Sequence, residues 1–235
     1  MLQVREKTTP GVLGGIYCRT RYIDDAIRKA VADGFDAVVN LGAGYDTRAL
    51  RIEELSQARI FETDHPDVIA AKKELLNKKP LFSPDYLVLV PIDFERQDLA
   101  DEMKKAGYAA DLKTLFILEG ITQYISPEAF SKTLRFIAST TAGSRVVFTY
   151  VLKDFIEKPE RYPENKNMIK QFKMAGVTDI TGIDPLELEG MLLRNNLILK
   201  EDVGAEEYQK LYLEPLNRKL NIMPIERIAM AEKNR

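Results

Sequence analysis

Short apolar runs alternate with amphipathic stretches along the first 150 residues of the chain, and this alternation predicts an α/β fold. Residues 37–41 form a compact run rich in β-branched side chains, which is typical of a strand buried on both faces. Four more apolar runs predict strands at 59–63, 86–92, 112–118 and 145–150. Five strands separated by helices predict a mostly parallel sheet that helices cover on both faces.

Helical spacing and capping residues predict the segments between these strands. An apolar stripe at helical spacing runs through residues 17–32, and a polar helix is expected at 96–106. Pro66 opens a predicted helix that ends near residue 77, because proline is tolerated in the first turn of a helix. Ser126 and Pro127 begin another predicted helix in the same way, with the serine as its cap.

The regular alternation stops at residue 150. Residues 151–183 contain two prolines and one amphipathic helix near 168–174, so we expect an insertion over the top of the sheet that serves as a lid or substrate region. The remaining predicted elements are helices near 184–195 and 206–220 and strands at 197–203 and 228–232. Pro215 is expected to kink or divide the second of these helices. We expect a single domain over residues 1–235, in which residues 1–34 form an N-terminal segment and helix that cap the ligand site.

Composition and charge narrow the classes of function. The chain has 34 positive and 36 negative residues, a net charge of −2, so no overall basic field attracts nucleic acid or an anionic membrane. The lysines at positions 72, 73, 78 and 79 are expected to form a solvated helix face. A single cysteine, Cys18, fits a reducing compartment and excludes a structural zinc site built from cysteines. Without an apolar run of signal-peptide or membrane-span length, the chain is expected to be soluble and cytoplasmic.

A glycine turn follows the first predicted strand. Gly42 and Gly44 allow a sharp turn and a close approach to a ligand, and a helix is expected to continue from there through Leu55. A bare G-x-G is as typical of an ordinary tight turn as of a nucleotide site. Because Thr47 stands where a dinucleotide fingerprint has its third glycine, the sequence favours a nucleoside-type cofactor over a pyrophosphate-bridged one.

Acidic residues follow the next strands, where ligands of open α/β sheets bind. They are Glu62 and Asp64 after the second strand, Asp93 after the third and Glu119 after the fourth. Each one alone is most often a turn former or a helix cap, but together they fit ribose hydroxyls, an adenine amino group and a cationic centre.

Arg19 lies on the inward stripe of the first helix, where a guanidinium either binds an anion or extends to water. S-adenosylmethionine carries a carboxylate for such an arginine and groups that suit the acidic residues, whereas the pyrophosphate of NAD would be repelled by them.

Five motifs in order resemble the leucine carboxyl methyltransferase family. They are Cys18-Arg19-Thr20-Arg21 with Asp24-Asp25, Asn40 to Arg48, Phe61 to Pro66, Asp93-Phe94, and Leu118-Glu119-Gly120 with Tyr124. The resemblance covers roughly residues 16–150. It implies a class I methyltransferase fold, a Rossmann-like three-layer sandwich whose seven-stranded, mostly parallel sheet has an antiparallel last strand. It also implies S-adenosylmethionine as the methyl donor.

The resemblance further assigns roles to individual residues. At the methionine end, Arg19 is implied to hold the carboxylate and Glu119 to lie close by. Gly42, Ala43 and Gly44 are implied to pass under the methionine and ribose. Asp64 with Glu62 is implied to bind the ribose hydroxyls, and Asp93 and Phe94 to flank the adenine. The best-known activity of the family is methyl esterification of the C-terminal leucine carboxylate of a protein phosphatase catalytic subunit.

The expected acceptor is therefore a carboxylate of a small molecule or of a protein C-terminus. An ionised carboxylate requires no general base, and no catalytic residue is predicted, since His65 fits a turn residue. Tyr124 either orients the acceptor oxygen or packs against the fold. The alternatives are a nucleotide-dependent oxidoreductase and a non-catalytic nucleoside-binding regulatory protein.

Overall fold

The computed structural model describes residues 6, 9–78, 84–174, 177 and 180–234. Within that part of the chain, seven strands form one sheet in the order β3-β2-β1-β4-β5-β7-β6. The strands are β1 (Ala37–Leu41), β2 (Arg59–Asp64), β3 (Leu87–Pro91), β4 (Thr114–Leu118), β5 (Arg145–Val151), β6 (Leu197–Val203) and β7 (Glu226–Lys233). β7 runs antiparallel to both of its neighbours, and the other paired strands are parallel. The predicted α/β class and its antiparallel last strand are confirmed.

Helices cover both faces of this sheet. They are α1 (Val12–Ala32), α2 (Arg48–Arg51), α3 (Pro66–Asn77), α4 (Leu99–Lys105), α5 (Pro127–Ala138), α6 (Lys153–Glu157), α7 (Asn167–Met174), α8 (Pro185–Arg194) and α9 (Ala205–Tyr208). Alternate residues of β1 enter opposite cores: Val39 packs with side chains of α4, α5 and α8, while Val38 packs with those of α1. This alternation produces the three layers, because successive strand side chains point to opposite faces.

Two predicted helices are shorter in the structure. α2 ends at Arg51 because Ile52 is extended, and a 3-10 turn at Glu53–Gln57 replaces the continuous helix expected through Leu55. α4 begins at Leu99, three residues later than expected, where the Asp98 side chain accepts a hydrogen bond from Asp101 N at 3.0 Å. The extended backbone at Ile52 and the side-chain cap of Asp98, which the apolar spacing does not reveal, set these two boundaries.

The segment expected to be helical at 206–220, with a kink or division at Pro215, is divided in the structure. α9 passes into a π turn at Gln209–Leu213 and a 3-10 turn at Glu214–Leu216, and the chain leaves the helical region at Asn217, whose φ is +49°. Pro215 lies within that 3-10 turn, where a proline has no N–H to donate.

The first helix begins at Val12, five residues before the predicted start. Gly11, with φ +81°, precedes it, and the Glu6 carboxylate accepts a hydrogen bond from Gly11 N at 2.8 Å. The carbonyl of Gly11 in turn accepts from Met223 N at 2.9 Å. The start of α1 is thereby attached to the segment that leads into β7. Residues 1–5, 7 and 8 of the expected N-terminal cap lie outside the described residues.

Lys72 of α3 contradicts the prediction of a solvated lysine face. It is only 4% exposed, and its Nζ lies 2.5 Å from Glu62 Oε2 of β2. The same Nζ donates to the carbonyl of Asp46 at 2.8 Å. Lys72 therefore joins α3 to the centre of β2 and to the turn after β1, because a buried lysine and a buried carboxylate each require a partner.

We expect Gly14→Ala to destabilise the protein and Gly15→Ala to leave it unchanged or slightly more stable. A Cβ on Gly14 would lie 2.0 Å from the carbonyl oxygen of Asn221, whereas one on Gly15 would meet only the flexible side chain of Met223 at 3.3 Å. The clash should lower the free energy of unfolding by about 1–3 kcal/mol. Urea unfolding of the matched pair measures the difference, and equal midpoints would contradict the described packing of α1 on residue 221.

Lys72→Met should destabilise the protein strongly at neutral pH. Burial raises the pKa of Glu62 and the Lys72 charge opposes that effect, so the variant leaves an unpaired buried carboxyl. Breaking such a pair costs about 3–5 kcal/mol. In the variant, the pKa of Glu62 in the folded state lies further above its pKa in the unfolded state. The free energy of unfolding should therefore fall as the pH rises from the unfolded-state pKa to the folded-state pKa, and it should recover as the pH is lowered again.

The control for this experiment is Lys73→Met, since Lys73 is an exposed neighbour on the same helix. Unfolding free energies of both variants are to be compared at neutral and mildly acid pH. If the two variants lose the same small amount at each pH, Lys72 does not hold a buried charge.

Candidate functional site

Two cavities open where the parallel strands end. The arginine cavity, about 540 Å³, is lined by Arg19, Thr20, Asn40, Gly42, Ala43, Gly44, Tyr45, Asp46, Thr47, Arg48, Arg51 and Glu119. The aspartate cavity, about 380 Å³, is lined by Gly42, Asp64, His65, Ile92, Asp93, Phe94, Glu95, Gly120, Ile121, Tyr124 and Ile125. Gly42 belongs to both walls, so the two cavities adjoin at the glycine turn. Eight of the nine cofactor residues expected from the sequence line one cavity or the other.

Glu62 is the ninth, and the structure does not bring it to either cavity. Its side chain is buried inside the β2 layer against Lys72. Glu62 lies two residues before Asp64 on the same face of β2, and it is therefore placed below the residues that line the cavities. The sequence could not separate the two acidic residues, because both fall near the end of one short apolar run.

The glycine turn is held by the end of β2. Gly42, with φ +73°, and Ala43 both donate to the carbonyl of Thr63 at 2.9 Å. Gly44 donates its N–H to Asp64 Oδ2 at 2.7 Å, and His65 N donates to Oδ1 at 2.7 Å. A Cβ on Gly44 would meet no atom within 4 Å, so the backbone there faces open space. The turn thus presents bare backbone beside an oriented carboxylate.

Arg19 is anchored between two carboxylates at the junction of α1 and the sheet. Its Nε donates to Glu119 Oε1 at 2.9 Å, and its Nη1 donates to both oxygens of Glu226 at 2.9 Å. Burial alone would lower the pKa of Arg19, but the Glu226 and Glu119 charges outweigh it and hold the pKa above its ordinary value. Arg19 therefore stays charged, and among the described residues none of its donated bonds uses Nη2.

Arg48 also lines the arginine cavity, and the sequence motifs assigned it no role. It is 5% exposed, and its guanidinium donates to Asp24 at 2.8 Å, to Asp46 at 2.5 Å and to Glu119 at 2.6 Å. Burial opposes its charge, while Glu119 and Asp46 raise its pKa above the ordinary value. In the sequence, Arg48 could have been noticed because it closely follows the glycine turn and Asp46 precedes it. The Asp46 side chain also accepts a hydrogen bond from Arg48 N at 2.7 Å.

Asp93 and Phe94 form the far wall of the aspartate cavity. Asp93 Oδ1 accepts a hydrogen bond from Glu95 N at 3.0 Å, and Asp93 N donates to Gln97 at 2.9 Å. The aspartate is thus fixed in a turn and still borders the cavity, while Phe94 is partly buried against the core. A rigid polar edge with an apolar neighbour suits a flat heteroaromatic ring.

A third cavity, which we call the glutamine cavity because Gln123 and Gln171 are in its wall, lies beyond Arg19. Its volume is about 230 Å³, and it is lined by Thr9, Val12, Ile16, Arg19, Gly120, Gln123, Tyr124, Val151, Met168, Gln171, Phe172, Met223, Ile225 and Glu226. Arg19 is shared with the arginine cavity, and Gly120 and Tyr124 with the aspartate cavity. Tyr124 is 47% exposed and meets Phe172 of α7 edge-on, with the ring centroids 5.8 Å apart. Residues of α7, within the segment expected to be an insertion, therefore contribute walls to this cavity.

Among the residues that the structure describes, no group of three or more histidine, cysteine, aspartate or glutamate residues is arranged to hold a metal ion. No helix there combines the length and apolarity that crossing a membrane requires.

The relatives that the chain resembles share one provisional activity name. A protein of Frankia alni is 32% identical over 144 residues, which are 61% of this chain and 50% of that protein. A Bacillus subtilis protein is 27% identical over 212 residues, which are 89% of this chain and 69% of that protein. Both are provisionally named S-adenosyl-L-methionine-dependent methyltransferases. The chain spans about half the length of several curated relatives that it matches.

Solved structures share the fold. A protein of Thermobifida fusca, provisionally described as a methyltransferase, superposes with a TM-score of 0.71 at 15% identity, over 99% of this chain and 86% of that one. The magnesium protoporphyrin IX methyltransferase of Synechocystis, crystallised with S-adenosylhomocysteine, gives a TM-score of 0.57 at 12% identity, over 93% and 84% of the two chains. At these identities the likeness concerns the fold, which is that of the class I methyltransferases.

The family model described as leucine carboxyl methyltransferase matches residues 2–138. That match covers more than half of the 235 residues and includes the glycine turn, Arg19, Asp64 and Glu119. The chain belongs to the leucine carboxyl methyltransferase family.

Proposed function

We propose that this protein is an S-adenosylmethionine-dependent O-methyltransferase. The cofactor lies across the arginine and aspartate cavities, and the methyl acceptor enters the glutamine cavity. The observation that carries the proposal is the convergence of Arg19, Asp64, Asp93 and Glu119 on two cavities that adjoin at Gly42. The names of its relatives and its family membership support the same activity.

The residues present fit the cofactor group by group. Asp64 is oriented toward ribose hydroxyls by the N–H of Gly44, and the open space beside Gly44 leaves room for the sugar. Asp93 and Phe94 offer a polar edge and an apolar face to the adenine. In the arginine cavity, the Glu119 carboxylate accepts a hydrogen bond from the ammonium group of the methionine moiety. Arg19 Nη2 donates a hydrogen bond to the carboxylate of the same moiety.

The bound cofactor supplies a methyl group activated by a positive sulfonium. The chain contributes alignment and a site from which water is excluded, because displacement at that methyl carbon requires an in-line approach. Gly120 and Arg19 stand at the boundary between the cofactor and acceptor cavities, so an acceptor oxygen can approach there. Tyr124, on the same boundary, is placed to orient that oxygen through its hydroxyl group.

An oxidoreductase is the less favoured alternative. The pyrophosphate of a dinucleotide would lie between Asp64, Asp46 and Glu119, and like charges at such short range repel. A non-catalytic nucleoside-binding protein would keep the arginine and aspartate cavities. The glutamine cavity beside Arg19, which leaves space for an acceptor, favours a catalytic protein over this alternative.

Calorimetry of the intact protein with S-adenosylhomocysteine tests the cofactor assignment. We expect saturable heat with a dissociation constant in the micromolar range, about −8 kcal/mol, and no comparable signal with NADH. A folded sample that gives no heat with S-adenosylhomocysteine at millimolar concentration would refute the proposal. Tighter binding of NADH would favour the oxidoreductase instead.

Arg19→Ala and Asp64→Ala should each weaken S-adenosylhomocysteine binding by about 1–3 kcal/mol, because each removes a hydrogen bond to a charged group. Arg21→Ala is the matched control, since Arg21 lies on the same helix, is exposed and pairs only with Asp25 among the described residues. Asp64→Asn keeps an acceptor for Gly44 N–H and separates loss of the cofactor contact from loss of the turn. Unchanged dissociation constants in both alanine variants would contradict the assigned roles.

A further inference from the structure

We infer that His65 is a cofactor-binding residue whose neutral imidazole ring lies against the adenosine moiety, and that protonation of this ring weakens cofactor binding. The inference rests on the proposed function, because it assumes that the adenosine moiety occupies the aspartate cavity. It gives a role to the one histidine of the chain, for which the sequence indicated only a turn.

The end of β2 brings His65 to the wall of the aspartate cavity. His65 directly follows Asp64, which binds the ribose hydroxyls in the proposed complex, and it lines the cavity together with Asp93 and Phe94. Its side chain is 54% exposed, so the ring borders open space and not the core. Because aromatic side chains stack on nucleobases, a histidine at one strand end and a phenylalanine at the next suit a purine.

The contacts of the His65 ring depend on its charge. His65 caps α3, and its Nδ1 accepts a hydrogen bond from Asp67 N at 3.4 Å. Only an unprotonated Nδ1 can accept that bond, so the described cap belongs to the neutral imidazole. The same Nδ1 lies 3.5 Å from Asp67 Oδ2, to which an imidazolium would donate. Protonation therefore exchanges a backbone contact of the ring for a carboxylate contact.

Acidic groups border His65 along the chain and across the cavity. Among the described residues, the titratable groups on these sides are Asp64, Asp67, Asp93, Glu95 and Tyr124. An imidazolium would be drawn to these carboxylates, including Asp64, whose remaining acceptor positions the ribose hydroxyls require.

Burial acts in the same direction as this competition. A purine that covers the ring removes water from it, and desolvation disfavours the charged form of a histidine. Both effects favour binding of the cofactor to the neutral form. Histidine is the side chain whose charge ordinarily changes between about pH 5 and 8, whereas aspartate and glutamate ordinarily titrate below that interval. Cofactor affinity should therefore be highest above the interval and should fall as the pH is lowered through it.

The test uses 5′-methylthioadenosine, which keeps the adenosine of the cofactor and lacks the ammonium and carboxylate groups of its methionine moiety. Calorimetry of the intact protein, prepared without a histidine tag, gives the dissociation constant at about pH 8 and about pH 6. We expect binding to be at least about threefold weaker at the lower pH. S-adenosylhomocysteine should show a similar relative change, because it carries the same adenosine.

Two substitutions separate the ring of His65 from its cap. His65→Phe keeps a flat ring and loses the charge and the cap acceptor, whereas His65→Asn keeps a cap acceptor and loses the ring and the charge. At about pH 8, we expect His65→Phe to bind 5′-methylthioadenosine within about twofold of the wild type and His65→Asn to bind it at least about fivefold more weakly. Neither variant should respond to pH. A residue that only caps α3 would give the reverse order of affinities.

The single histidine also gives a direct readout. The imidazole signals in an NMR spectrum of the untagged protein belong to His65 without further assignment. They should shift when S-adenosylhomocysteine is added, because the ring current of a purine acts on a ring that lies against it. The signals should stay unchanged if the imidazole only caps the helix.

The possible results separate this inference from the proposed function. A pH-independent dissociation constant in the wild type, a pH response that persists in His65→Phe, the reverse order of the two variants, or unshifted imidazole signals would each overturn the inference while S-adenosylhomocysteine still binds. Failure of S-adenosylhomocysteine to bind the wild-type protein would instead overturn the proposed function.

Discussion

Burial of the Arg48 guanidinium is the constraint on which the site depends. A charged group removed from water requires partners, and Arg48 takes them from α1, from the glycine turn and from the end of β4. Glu119 also binds Arg19, whose other partner, Glu226, begins β7. The ion pairs therefore form one connected network across four parts of the chain, and moving any of these elements would leave a charge without a partner.

This network also explains the polarity of the three cavities. The arginine cavity lies among paired charges of both signs and suits a zwitterion, while the aspartate cavity joins fixed carboxylates to an apolar edge. Among the described wall residues of the glutamine cavity, the charged side chains are Arg19 and Glu226, which pair with each other. One arginine at the boundary thus lets neighbouring spaces differ in the ligands that they favour.

The sequence predicted the strands and the acidic strand ends well, because those features follow from local apolar runs and from the parallel order. It also placed Arg19 on the inward face of α1. It did not predict the burial of Lys72, since helical spacing cannot show that Glu62 requires a cation. The pairing of Arg19 with Glu226 joins residues 207 positions apart, and only the position of an antiparallel last strand decides it.

That antiparallel strand has a chemical consequence beyond closing the sheet. Had β7 been parallel, its first residue would lie at the opposite edge, and Arg19 would border the glutamine cavity without a second carboxylate. With Glu226 in place, Arg19 Nη1 is bonded to both oxygens of that carboxylate, and none of the bonds that Arg19 donates among the described residues uses Nη2. The topology of the sheet, rather than the motifs at the strand ends, thereby decides the charge balance on this side of Arg19.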